Sequence, residues 1–209
     1  MDEPTPDDTR TAVTAAVGAL KSSADADWSV LAGDLEWSCR RTLDHIIDAV
    51  VWYAANLATA SSEDCGDLRD GAPVATSIAD LLRGLEPSGY ILARVAEATP
   101  PGVRGYHGAG MADASGFLAM GCDETLVHTF DICAGLGRAF RPPPDVCDRV
   151  VRRLFPWAPE HEDPWERLLW SNGRVALPEH PRLGPNWDWW CAPLSEWDGV
   201  ARTDGGPGD

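Results

Sequence analysis

Lysine is almost missing from this chain. Lys21 is the only one in 209 residues, so sixteen of the seventeen basic side chains are arginine, a bias expected of a GC-rich coding sequence. Positive charge is scarce altogether. Seventeen basic against thirty-three acidic side chains give a net charge of −16, and no basic stripe interrupts it. Such a surface repels phosphate backbones, which argues against nucleic acid as a partner. Long apolar runs are missing too. The longest, from Ile46 to Ala60, is interrupted by Asp48 and Asn56, too short and too polar for a bilayer span, so no membrane partner is expected. The opening residues MDEPTPDD have neither a basic nor an apolar export region, so a cytoplasmic location is expected. The six cysteines (39, 65, 122, 133, 147 and 191) are far apart and contain no C-x-x-C, which disfavours a disulfide framework. Most are expected to be small buried hydrophobes.

What the sequence does contain is helical periodicity. Val13, Val17 and Leu20 begin a first pattern after Thr9. Ser38 is placed to cap a second helix running to about Ala60, with Leu43, Ile47, Val50, Ala54 and Leu57 as its core stripe. Ser77, with Asp80 three residues on, starts a third, which Pro87, Ser88 and Gly89 are expected to kink or split. The glycine-rich PPGVRGYHGAG reads as a loop, and a fourth helix spans about Asp113 to Leu136, ending at Gly137. Four helices with short to moderate links predict a mainly α protein, an antiparallel four-helix bundle over 10–140. Pro142, Pro143 and Pro144 then open an extension over 141–202, in which seven of the ten tryptophans fall among prolines. Large rings need apolar surface to cover, so this extension is expected to pack back on the bundle. GRVAL is its one candidate strand. Residues 1–9 and 203–209 read as disordered ends.

The fourth helix carries the chemistry. At 100° per residue, Asp113, Phe117, Met120, Glu124, His128, Asp131 and Gly135 share one narrow face, with Leu118, Cys122, Leu126 and Cys133 roughly opposite. A helix apolar on two sides is buried on both, so Glu124, His128 and Asp131 point inward. Burying them uncompensated costs several kcal/mol. A divalent metal offsets that cost: Glu124 and His128 at i, i+4 can share one ion, and Asp131 can accept the other ring N–H of His128. His45 on the second helix is the candidate third ligand, in line with Ala49, Trp52 and Asn56, which together read as a pocket wall with Phe117 and Met120. An E-x-x-x-H pair taken alone is also the pattern of an ordinary polar pair, and a lone histidine that of a satisfied boundary residue.

Two segments carry a resemblance. WSCRRTLDHIIDAVVWYAANLA resembles the second helix of the DinB-like superfamily, and GFLAMGCDETLVHTFDICAGLG is similar to the matching helix of its mycothiol-dependent maleylpyruvate isomerase branch. The resemblance covers roughly residues 10–137. It implies a four-helix bundle holding a divalent metal, usually zinc, through His45, Glu124 and His128, with Asp131 at the family's following acidic position. Nickel or iron suits the same nitrogen and oxygen ligands. The family's isomerase has a larger C-terminal α/β domain, of which PWERLLWSNGRVALPEHPR is a shortened, diverged echo. Arginines of that domain contact substrate carboxylates, which makes Arg174 the position to test here. His107, before the fourth helix, is the other candidate for substrate or thiol contact.

The chemistry implied is that of a thiol-dependent isomerase or transferase acting on a small electrophile, with mycothiol as cosubstrate. Cys122 and Cys133 lie away from the metal face, so an intrinsic thiol nucleophile is not expected. Two alternatives share the ligands: a metal-dependent hydrolase using bound hydroxide, and a non-catalytic small-molecule binding or stress-response module. The chain is expected to be a monomer or homodimer.

Overall fold

The computed structural model describes residues 3–69 and 71–203. Residues 1, 2 and 204–209, part of the expected disordered ends, lie outside the described residues. The fold is mainly helical: α1 (Pro6–Leu20), α2 (Cys39–Thr59), α3 (Ile78–Ala98), a two-stranded antiparallel hairpin of β1 (Arg104–His107) and β2 (Gly110–Asp113), then α4 (Ala114–Gly135), α5 (Pro144–Leu154) and α6 (Pro164–Ser171). No helix among the described residues is long and apolar enough to cross a membrane.

Caps set the helix boundaries. The Ser38 hydroxyl accepts from the Arg41 amide and the Ser77 hydroxyl from Asp80, so α2 and α3 start where their serines predict. Ala60, in the left-handed region, closes α2. Asp113 caps α4 by accepting from the Gly116 amide at 2.8 Å.

Four expectations need correction. The N-terminal residues 6–9 are helical, because Pro6 sits at a first-turn position that needs no N–H and Thr5 and Asp8 form a reciprocal capping box. Asp8 is also buried, in an ion pair with Arg149 of α5 that holds its carboxyl below the usual range against the opposing effect of burial. Second, α3 is not split at Pro87. It continues to Ala98, and the Ser88 hydroxyl donates to the Leu85 carbonyl within the turn that the proline interrupts. Third, PPGVRGYHGAG is not simply a loop, since residues 104–107 and 110–113 pair as the hairpin. The hairpin lies so close on α2 that a Cβ at Gly105 would stand 2.2 Å from the Asn56 carbonyl oxygen. Fourth, GRVAL forms no strand; Leu177 makes only an isolated bridge to His180.

α2 packs on α3 and α4, and α1 packs on the same two helices, enclosing one core that runs from Val13 and Leu20 through Leu43 and Val50 to Leu126. α5 rests on α4 and α6 on α5. Phe155, Trp165, Leu168 and Trp170 are buried in that continuous core, with Trp157, Trp187 and Trp189 packed against it. The residues after 141 therefore extend the apolar interior instead of trailing from it. Arg153 of α5 is the pin of this arrangement, only 1% exposed. It donates to the Ser115 hydroxyl (2.9 Å), to Asp113 Oδ1 (2.7 Å) and to the carbonyls of Trp190 (3.1 Å) and Cys191 (3.0 Å).

Candidate metal centre

α2 and α4 present His45, Glu124 and His128 to one another, with one potential ligand atom from each lying within 4.8 Å of the others. The Nε2 atoms of His45 and His128 stand 3.4 and 3.2 Å from Glu124 Oε2, and the two rings meet edge to face at 5.3 Å. The Tyr53 hydroxyl donates to Glu124 Oε1 at 3.1 Å, which fixes the carboxylate and leaves Oε2 directed at the histidines. That Oε2 is buried and has no hydrogen-bond partner among the described residues. A buried carboxylate oxygen facing two imidazole nitrogens without a well-formed hydrogen bond to either is a donor set that suits a divalent cation.

The outer contacts are equally defined. His128 Nδ1 lies 3.0 Å from Asp131 Oδ2. Asp131 in turn receives Arg174 through two bonds, Nη2 to Oδ2 at 2.8 Å and Nε to Oδ1 at 3.2 Å. Arg174 Nη1 donates to the Asn172 carbonyl, which holds the arginine in the turn after α6. Carboxylate–histidine pairs of this kind fix ring tautomer and orientation in metal sites.

The electrostatics follow from this packing. Burial pushes the Glu124 carboxyl up, but His128 and His45 outweigh it and hold it well below the carboxylate range. Burial pulls His128 down, but Asp131 and Glu124 raise it to about 9. An ion entering the cluster must displace the His128 proton, so uptake should weaken as pH falls. Tyr53 is pushed well above its usual value, first by burial and then by Glu124.

Two cavities open onto the cluster. One, of about 390 Å³, is lined by His45, Ala49, Trp52, Tyr53, His107 and Glu124, among others. The other, of about 290 Å³, is bounded by Leu35, Glu36, Trp37, His45 and His128. Ala49 and Trp52 thus stand in the wall where the sequence places them. His107 joins that wall, its ring 5.7 Å from Trp52 and 5.8 Å from both Tyr53 and Trp189; burial lowers its pKa to about 4, so it is neutral at pH 7.

Other expected wall residues do not line either cavity. Asn56 is wholly buried: its amide nitrogen donates to the Trp52 carbonyl and to Cys65 Sγ, and its Oδ1 accepts from the Cys65 amide, so it anchors the segment after α2. Phe117 backs the Tyr53 ring at 6.0 Å, and Met120 belongs to the core. Arg174 pairs with Asp131 and, with it, lines a separate cavity of about 690 Å³ rather than either of these two. Tyr53 is the residue that sequence reasoning missed. A tyrosine one position past Trp52 on a helix buried along that side needs a hydroxyl partner, and that was the available signal. Trp37, whose ring meets His45 at 5.0 Å, precedes the helix and left no periodic trace.

Asp131→Asn should weaken metal affinity by about 10–100-fold without abolishing it, as loss of an outer-shell partner does. Arg174→Met should have a smaller effect in the same direction, because Asp131 keeps its contact with His128. Competition titration against a chelator measures both; complete loss in D131N would make Asp131 a direct ligand.

Comparison with protein-family models, with curated proteins and with solved structures finds no match to this chain.

Proposed function

We propose that the chain is a DinB-like antiparallel four-helix bundle, α1 to α4, holding one divalent metal at His45, Glu124 and His128. Zinc is the best fit to two imidazoles and a carboxylate. We propose further that it acts as a thiol-dependent isomerase or transferase on a small electrophile, with mycothiol as the thiol. The single observation behind the reading is the buried Oε2 of Glu124, which makes no hydrogen bond and faces two histidine nitrogens at 3.2 and 3.4 Å.

When bound, such an ion supplies Lewis acidity, favouring the deprotonated form of a thiol or water beside it. The chain's own residues do the rest. Tyr53 fixes Glu124, while Asp131 with Arg174 orients His128. Trp52 and His107 wall the larger cavity, a neutral aromatic surface against which a small substrate can pack. No cysteine lines either cavity, and burial pushes Cys133 and Cys191 up to about 11 and Cys147 up to about 12, which supports a thiol arriving from solution.

The test is turnover of an activated cis-alkene and of a halogenated electrophile by zinc-loaded protein, with and without a low-molecular-weight thiol. The expected result is turnover only when both zinc and thiol are present. Turnover without thiol would indicate hydrolase chemistry, and stoichiometric metal without any turnover a binding module.

A further inference from the structure

The larger cavity carries a charge pattern that the ligand set does not account for. Its floor is Glu124, whose buried Oε2 lacks a hydrogen-bond partner. One wall is Trp52, and Asp48, Asp64 and Asp67 also line the cavity. Arg69 is the only lysine or arginine among the lining residues, and its guanidinium is already committed. Nη2 pairs with Asp44 Oδ1 and Nη1 with Asp48 Oδ1, both at 2.7 Å, so it bridges two carboxylates of α2 instead of offering its charge inward. Asp64 accepts the Trp52 indole N–H at 3.0 Å, which sets a carboxylate directly beside the aromatic wall. Asp67 is exposed to solvent at the same opening. With Glu124 answered by the histidines at the floor, three lining aspartates against one paired guanidinium leave the mouth of the cavity negative. A divalent ion on Glu124 and the two histidines does not fully offset that.

A cavity negative at its mouth and aromatic along one wall concentrates cations and repels anions, the more so at low ionic strength. Aromatic rings also attract organic ammonium groups, whose diffuse charge is cheap to desolvate. We propose that this cavity takes a small organic cation, its positive group beside Asp64 and Asp67 and its carbon arm along Trp52, and that it disfavours carboxylates and phosphates. The assignment rests on the proposed function only for what Glu124 holds; Asp64, Asp67 and Trp52 do not depend on a metal.

Equilibrium binding to the full chain tests this, with benzyltrimethylammonium, benzyl alcohol and benzenesulfonate as probes. None is a strong zinc ligand, so zinc-loaded and metal-free protein can be compared directly. The expected order is cation, then alcohol, then sulfonate, with the cation favoured at least tenfold over the sulfonate in low salt and less so in 0.5 M salt. Asp67→Asn should cut that preference several-fold. Asp67→Lys, at an exposed position that does not threaten folding, should cut it about tenfold. Equal or tighter binding of the sulfonate, no saturable binding of the cation, or a preference unmoved by both variants would overturn the proposal. Metal content measured on the same samples separates the two readings. A protein with no metal that still prefers the cation refutes the metal centre alone, and one equivalent of zinc with no preference refutes the cation site alone.

Discussion

His128→Ala should leave the purified protein without stoichiometric metal. His128 supplies one of three ligands, and it is the one whose orientation is fixed from outside by Asp131 and Arg174. Removing it leaves His45 and Glu124, a two-ligand set that solvent competes with easily. The affinity loss should exceed by a wide margin the ~100-fold upper range of outer-shell changes. The fold should survive, because the side chain borders a cavity and α4 is held by its apolar faces. Elemental analysis with native mass spectrometry reads the outcome, and circular dichroism confirms that the helices persist. A variant that kept one equivalent of metal would remove His128 from the ligand set. Wild-type protein that neither carried nor took up metal would remove the site.

The second large effect concerns stability. Arg153→Met should destabilise the protein by about 3–5 kcal/mol, the usual cost of removing one partner from a buried charged network. The guanidinium answers Asp113, the Ser115 hydroxyl and the carbonyls of Trp190 and Cys191. Methionine fills similar volume but donates nothing, so these acceptors lose a buried partner. For a chain of this size that corresponds to a drop of roughly 6–20 °C in Tm. Ser115→Ala removes one of the four bonds and should cost far less. If the C-terminal residues are clamped through Arg153, tryptophan quenching by iodide should rise in the methionine variant before global unfolding. A Tm within a degree or two of wild type would show that the network contributes little.

Much of this was legible because helix signals are local. Ser38 and Ser77 each cap within three residues, and the stripe from Leu43 to Leu57 repeats on a period that only a helix satisfies. The three-residue cluster was legible for the same reason: Glu124 and His128 are one turn apart, and polar groups on a helix with two apolar faces demand a partner. What could not be read depended on distant contacts. Pro6 and Asp8 look like a frayed end until Arg149 arrives from α5, 141 residues away. Asn56 looks like a wall residue until Cys65 folds back over it. The hairpin at 104–113 has too few apolar residues to announce its strands, and Gly105 is needed only because α2 runs beneath it. Arg174 could be placed near the site but not assigned a partner, since its partner is on another helix.

The doubly held carboxylate of Asp131 couples two distant stretches of the chain. One oxygen pair serves a histidine of α4 and an arginine beyond α6, so the two segments are no longer free to vary separately. A lineage that shed the residues after α6 would inherit a buried anion with half its compensation gone, while one that first changed position 131 to asparagine would lose the reason to keep Arg174. Either single change leaves one charged group of the trio without its partner. Such reciprocal dependence works as a ratchet: with Arg174 seated on Asp131, removing the residues after α6 calls for a compensating change at position 131.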